Sequence, residues 1–284
     1  MKYVVVTGAS TGIGWGCVKV LTGHGFHVFG SVRKQADADR LSKEFGGSFT
    51  PLLFDVTDAE AVKRGAEIVE RALGGAMLAG LVNNAGIAVA GPLLYLPIDE
   101  LRQQMEVNLI GQMIVTQAFA PLLGADRSRK GQPGRIVMMS SIGGKNAFPF
   151  MGPYSASKFA LEGLSESLRR ELMLFGIDVI LIRPGAVATP IWDKADQVDI
   201  SQFANTPYFD ALGKIKKVML DQGHKGYPPE RIGRAVYKAL TKSRPKTAYV
   251  ENPNKAQGLA VSLLPKRVAD AAIASMVGLK RAKN

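Results

Sequence analysis

The chain predicts a doubly wound α/β domain, a parallel sheet of about seven strands with helices on both faces. Three observations lead there. Short β-branched runs alternate with longer segments whose apolar residues recur at helical spacing, the pattern of repeated βαβ units. The strand-like runs are almost continuously apolar, as strands covered on both faces are. A glycine-rich turn joins the first strand-like run to the first helical one. The 284 residues favour one large domain over two small ones, and no repeat, low-complexity tract or linker divides them.

Strands are expected over Tyr3–Val6, His27–Val32, Phe49–Phe54, Leu78–Val82, Arg135–Met139, Ile177–Ile182 and Thr247–Val250. Helical spacing is clearest in Ile13–Leu21, Ala59–Ala72, Leu101–Leu122 and Ser155–Phe175. After the first strand, Thr7–Gly14 reads TGASTGIG. Gly8, Gly12 and Gly14 let the backbone turn tightly and approach a pyrophosphate, which the next helix's N-terminus would stabilise. A purely structural turn would use the same residues. The second strand ends Gly30-Ser31-Val32-Arg33-Lys34, with no acid before Asp37. A carboxylate there would grip the ribose 2′-hydroxyl of NAD, whereas arginine accommodates a 2′-phosphate. Arg33, helped by Ser31 and Lys34, therefore argues for NADP over the alternative of solvated surface cations.

Asp55-Val56 follows the third strand, where Asp55 either meets an adenine edge or caps the helix beginning near Asp58. Asn83-Asn84-Ala85-Gly86 follows the fourth and suits either a ligand crevice or a plain turn. Asn108 interrupts an apolar helix, and a buried amide there needs partners, structural or catalytic. Ser141 stands just past the fifth strand. Tyr154 and Lys158 lie four apart at the start of a long helical pattern, which puts them on one face. Ser140 competes with Ser141.

Composition narrows the chemistry. Cys17, the sole cysteine, falls in an apolar helical pattern and reads as a buried structural thiol. It leaves no internal disulfide and no cysteine-rich metal site, so no metal is expected. No leader pattern precedes Tyr3, and no apolar run looks long enough to span a bilayer, so a cytoplasmic, reducing compartment is expected. The net charge of +12 suits an acidic nucleotide or an anionic membrane surface, or is simply a basic exterior. Without a zinc-finger pattern or an aromatic-interleaved basic tract, nucleic acid is not the expected partner. A serine hydrolase is disfavoured, because Ser141 lacks the G-x-S-x-G frame and the only histidines are His24, His27 and His224.

TGASTGIG, NNAG, Asn108, Ser141, YSASK around Tyr154, and Pro184-Gly185 together resemble the short-chain dehydrogenase/reductase family in order and spacing. The resemblance spans roughly residues 2 to 250, and YSASKFALEGLSESLRREL is similar to the 17β-hydroxysteroid and retinol dehydrogenase branch. It implies one Rossmann-type NADP(H)-binding domain over 1–250, a substrate lid over 190–226 and a C-terminal extension over 251–284. It implies a catalytic tetrad of Asn108, Ser141, Tyr154 and Lys158. Tyr154 would protonate a carbonyl oxygen, and its pKa, ordinarily about 10, would be lowered by Lys158. Lys158 would also hold the nicotinamide ribose, Ser141 would polarise the carbonyl, and Asn108 would hold a relay water. Cofactor contacts would come from Gly8, Ser10, Thr11, Gly12, Ile13, Gly14, Ser31, Arg33, Asp55, Val56, Asn83, Ala85 and Gly86. Pro184, Gly185, Val187 and Thr189 would complete them.

Phe148, Phe150, Met151 and Trp192, with Ser141 and Tyr154, would line an apolar cleft for a hydrophobic ketone or secondary alcohol. Ordinary core packing would also use these aromatics. A homo-dimer or homo-tetramer is implied, with Leu101–Leu122 and Ser155–Phe175 as candidate interface helices. The apolar tail from Ala256 to Leu279, with Lys280, Arg281 and Lys283 beyond it, forms one helix or two broken at Pro265. It packs on the body or a second subunit, or lies on a membrane surface. The rival reading in another class is a catalytically silent nucleotide sensor or scaffold, against which the intact tetrad stands.

Overall fold

The computed structural model describes residues 1–253 and 264–279. Its seven strands are β1 (Lys2–Val6), β2 (Phe26–Val32), β3 (Phe49–Leu53), β4 (Gly80–Asn83), β5 (Arg135–Met139), β6 (Asp178–Pro184) and β7 (Ala248–Glu251). They form one sheet in the order β3-β2-β1-β4-β5-β6-β7, and every pairing is parallel. The order reverses between β1 and β4, so a crevice opens beyond the carboxyl ends of those two strands. The expected strands are therefore present. β4 starts at Gly80 rather than Leu78, whose N–H goes instead to the Leu122 carbonyl at 2.8 Å.

The two faces of the sheet explain the unbroken apolar runs. Val5 points into one core with Leu52, Val62, Val69, Phe119 and Leu161, while Val4 and Val6 point into the other with Leu21, Leu41, Ile232 and Val236. The first core lies under α3 (Ala59–Leu73), α5 (Gly111–Ala120) and α6 (Gly152–Glu171). The second lies under α1 (Gly12–Gly23), α2 (Gln35–Phe45) and α9 (Pro229–Thr241). Cys17 is buried in it, which pushes the thiol up to about 12, as an inert structural cysteine requires.

The expected Leu101–Leu122 helix runs longer, from Ile98 to Ala125. It comprises α4 (Ile98–Met105), a π turn at Glu106–Ile110, α5, and a second π turn at Pro121–Ala125. By length and composition alone it would cross a membrane, contrary to the sequence expectation, but half of its apolar window is buried inside the protein. Buried Gln104, Asn108 and Gln112 along it identify a core helix with polar work to do.

Beyond β6 come α7 (Ile191–Asp196) and α8 (Phe209–His224). A third apolar cluster joins Phe150 and Phe203 to Ala211, Leu212 and Ile215 of α8 and to Val277. Val277 ends α10 (Lys266–Val277), which begins directly after Pro265, so this part of the tail packs against α8. Its other side leaves Leu264, Val268 and Met276 exposed. The expectations for Leu259, Val261, Leu263 and the basic Lys280–Asn284 run lie outside the described residues.

Candidate active site

The glycine turn sits at the crevice and is locked there by neighbours. Gly8 and Gly12 hold φ of 66° and 57°, a region that L side chains avoid. A Cβ on Gly14 would fall 2.0 Å from the Gly8 carbonyl oxygen. Two residues that the sequence reading passed over do the locking. Thr7 Oγ1 accepts from the N–H groups of Asn84 (2.9 Å) and Ala85 (3.0 Å), and Asn84 Nδ2 donates to the Thr7 carbonyl at 2.9 Å. Both lie within motifs already recognised, flanking Gly8 and inside NNAG, so their positions were visible but their roles were not.

Thr11 caps α1 without a side-chain hydrogen bond, which leaves the helix's first N–H groups free of a side-chain partner. A Cβ on Gly12 would meet Thr189 at 3.2 Å, so Thr189 lies across the turn. A cavity of about 410 Å³ borders the turn, lined by Ser10, Thr11, Gly12, Trp15, Arg40 and Pro190 among others. Arg40 reaches it from α2 and donates to the Ser10 carbonyl at 2.6 Å.

Arg33 is exposed at the end of β2, 3.5 Å from Asp55 Oδ2. Burial pushes Asp55 up, but hydrogen bonds from the Thr57 N–H and hydroxyl, then Arg33, outweigh it and hold the carboxyl below the usual carboxylate range. The helix cap is Asp58, which accepts from Ala61 N–H at 2.9 Å, and not Asp55. Ser31 departs from its expected role. It is 2% exposed, and its hydroxyl accepts the Gly8 N–H at 3.0 Å, so it supports the turn from beneath instead of facing a 2′-phosphate. Val56 buries its side chain near Gly111, which leaves only its backbone for a ligand.

Asn83 also departs. Its amide donates to Thr116 Oγ1 at 2.8 Å and Met138 Sδ at 3.3 Å, inside the core and away from the crevice. Ala85 has its N–H on Thr7 and its carbonyl on Gln112, so it shapes the crevice wall. Gly86 leaves room for Asn108, whose Oδ1 would lie 3.1 Å from a Cβ there. Asn108 sits fully buried in the π turn, a helix irregularity common at functional sites. Its Oδ1 accepts from Ile87 N–H at 2.8 Å, and its Nδ2 donates to the Ile87 carbonyl (3.0 Å) and Ser157 Oγ (3.2 Å). Gln104, four residues earlier, makes the same kind of clamp on Ile87 and Val89. The Asn108 side-chain amide is thus committed to positioning the loop after β4.

Ser141, Tyr154 and Lys158 do come together. A Cβ on Gly143 would meet the Tyr154 ring at 3.2 Å and Ser141 Oγ at 3.3 Å. Ser140, the competing serine, turns inward and donates to Glu162 at 2.7 Å. Lys158 Nζ lies 5.8 Å from the centre of the Tyr154 ring and donates to the Met139 carbonyl at 2.7 Å. Burial raises the Tyr154 pKa, partly offset by its hydrogen bond with Ser141. Burial outweighs any lowering of the phenol by Lys158, whose ammonium stands over the ring and is also tied to β5. Burial lowers Lys158 to about 8, with Glu162 pulling the other way.

The substrate wall is only partly as expected. Phe148 is exposed and Met151 half-buried. Phe150 is 8% exposed, holds a φ of 64° and packs in the lid core against Tyr208 at 5.9 Å, which makes it an anchor for the lid. Its left-handed backbone four residues before Tyr154 is a strained feature of a kind found at functional sites. Trp192 spends its indole N–H on the Val187 carbonyl at 2.7 Å and packs against Gly223, so it braces the lid. Tyr95 meets Tyr208 at 6.0 Å from the opposite side. Gly185 is held to β7 by its N–H on the Glu251 carbonyl at 2.8 Å, and buried Pro184 ends β6.

A family model described as short chain dehydrogenase matches residues 2–199. The chain is 39% identical over 271 residues to the NADPH-dependent 3-dehydrocapnine reductase of Ornithobacterium rhinotracheale, covering 95% of each. It is 32% identical over 244 residues to the 3-ketodihydrosphingosine reductase of Bacteroides thetaiotaomicron, covering 86% of this chain and 85% of that one. Among solved structures, a short-chain dehydrogenase from Streptomyces avermitilis superposes with a TM-score of 0.75 at 26% identity, over 98% of this chain and 97% of that chain.

Proposed function

Because the chain belongs to the short-chain dehydrogenase/reductase family, oxidoreductases of CH–OH and C=O groups, we propose that it reduces a ketone on a long apolar molecule with NADPH. The observation that carries this is the meeting of Ser141, Tyr154 and Lys158 beside a glycine turn with unclaimed helix N–H groups. The turn fits a dinucleotide. Its glycines leave no space for side chains, and the start of α1 offers N–H donors to phosphate. Arg33, exposed at the end of β2, is the residue placed to meet a 2′-phosphate.

NADPH, when bound, supplies a hydride to the carbonyl carbon. Tyr154 supplies the proton to the carbonyl oxygen. With its pKa raised, the phenol is protonated at neutral pH, as an acid must be. The Ser141 hydroxyl donates to the same oxygen and holds it against Tyr154. Lys158, still mostly charged at pH 7 with a pKa of about 8, stabilises the phenolate left behind. Asn108 and Gln104 keep the loop after β4 against this group, and Asn108 reaches α6 through Ser157.

The relatives that act on 3-dehydrocapnine and 3-ketodihydrosphingosine support a 3-keto substrate with a long apolar part. The exposed Leu93, Leu94, Tyr95 and Phe148 near the lid offer surface for such a chain. The test is a panel of ketones, including both of these compounds, followed by loss of NADPH absorbance. Turnover on long-chain 3-ketones and not on short polar ones is expected. No turnover on any of them would defeat the reading and favour the silent sensor. A homo-oligomer completes the proposal. It is supported by the exposed Ile110 and Phe159 on the two long helices, and sedimentation of the purified protein tests it.

A further inference from the structure

Behind Lys158 lies a buried carboxylate that the proposed reaction does not use. Tyr154, Lys158 and Glu162 follow one another at intervals of four on α6, and so share its inner face. Glu162 is 4% exposed. Its Oε1 accepts from Ser140 Oγ at 2.7 Å and Arg183 Nε at 2.8 Å, and its Oε2 from Arg183 Nη2 at 2.6 Å. Lys145, just past Gly144, pairs with it at 3.3 Å. A Cβ on Gly144 would meet Ser140 Oγ at 2.8 Å, the Lys158 carbonyl oxygen at 3.1 Å and Glu162 Cγ at 3.3 Å, so the cluster has no spare room.

Three cations therefore face one acid. Arg183 comes from β6, Lys145 from the loop after β5, and Lys158 from α6 itself, while Glu166 acts on Arg183 from farther along the helix. Ser140 ties the carboxylate to the end of β5, whose neighbouring Met139 carbonyl holds Lys158 Nζ. We propose that Glu162 is a positioning residue for the ketone reduction, keeping the Lys158 ammonium charged and the Ser140–Ser141 strand end in register with Tyr154. This rests on the reading of Tyr154 and Lys158 given above. Desolvation alone would drive Lys158 towards the neutral amine, and Glu162 is the group that opposes it. A merely structural ion pair between β6 and α6 would stabilise the fold, and neutralising its acid would leave the alkaline limb of reductive turnover where it is in wild type.

The experiment reads that ionisation directly. Lysine 13Cε shifts are followed against pH, with the Lys158 signal assigned by its loss in Lys158→Ala. Wild type is expected to titrate near pH 8, and Glu162→Gln about one unit lower. Glu162→Asp, which keeps the charge, is expected to stay closer to wild type. The alkaline limb of the reductive kcat profile should move with the NMR midpoint. Should the single variant not fold, Glu162→Gln/Arg183→Gln removes a repelling guanidinium together with the carboxylate, so a smaller downward shift is expected, and a midpoint at or above the wild-type value would overturn the inference. An unchanged Lys158 midpoint in a folded Gln variant would overturn the inference. A shifted midpoint in a protein that turns over no ketone would leave it standing and defeat the reaction instead.

Discussion

Removing one hydroxyl should unlock the cofactor crevice without opening a hole. Thr7→Val keeps the shape of a side chain that is fully buried, so no cavity forms. What disappears is the oxygen that accepts from Asn84 and Ala85 N–H at 2.9 and 3.0 Å. Two largely buried donors then have no partner, at about 1–3 kcal/mol each, less whatever water recovers, so a total loss of about 2–4 kcal/mol is expected. For a domain of this size, that lowers Tm by roughly 4–12 °C. The Asn84 amide still bonds the carbonyls of Thr7 and Gly8 at 2.9 and 3.3 Å, so the fold should survive while the loop after β4 drifts from the glycine turn. Urea unfolding gives the stability, and NADPH fluorescence titration gives the affinity, which should fall at least several-fold. Stability within half a kcal/mol of wild type, with unchanged NADPH affinity, would refute the idea that Thr7 joins the two halves of the crevice.

Arg33→Ala should weaken NADPH far more than NADH in the same titration, because only the former carries a 2′-phosphate; equal losses would remove Arg33 from the selectivity argument. Gly14→Ala places a methyl 2.0 Å from the Gly8 oxygen, a backbone atom with little freedom to yield. It should cost about 1–3 kcal/mol and most of the cofactor affinity, and a variant that binds NADPH normally would contradict the geometry. Lys158, lowered from 10.5 to about 8, makes activity and stability respond oppositely to alkali. Reductive turnover should fall as pH rises through about 8. Across the window up to 10.5 the unfolded chain binds more protons at this residue, so its contribution to stability should grow with pH. Comparison of apo Tm profiles for wild type and Lys158→Met checks the sign.

The sheet was legible because its strands are buried on both faces and so read as unbroken apolar runs, Val4 and Val6 serving one core and Val5 the other. The glycine turn was legible because few sequences place three glycines between a strand and a helix. What the residues could not reveal is how each polar side chain is occupied. Ser31, Asn83 and Asn108 stand at the crevice in the chain, yet the Ser31 hydroxyl accepts from Gly8, the Asn83 amide nitrogen goes to Thr116, and the Asn108 amide goes to Ile87. That choice depends on which backbone groups are left unpaired once the layers close, and no local pattern records it. Phe150 and Trp192 were legible as apolar residues near the expected lid, but where they pack depends on distant partners, Val277 for Phe150 and Gly223 for Trp192. The π turn that carries Asn108 left no signal beyond an amide in an apolar helix.

The most direct measurement is isotope transfer. The purified protein is given NADPH carrying deuterium at the transferable C4 position, with 3-ketodihydrosphingosine as acceptor, and the alcohol is analysed by mass spectrometry. One deuterium on the new carbinol carbon is expected with wild type. Tyr154→Phe should form no product while still binding NADPH in the fluorescence titration. Product lacking the deuterium, or undiminished turnover by Tyr154→Phe, would contradict hydride and proton delivery at Ser141, Tyr154 and Lys158.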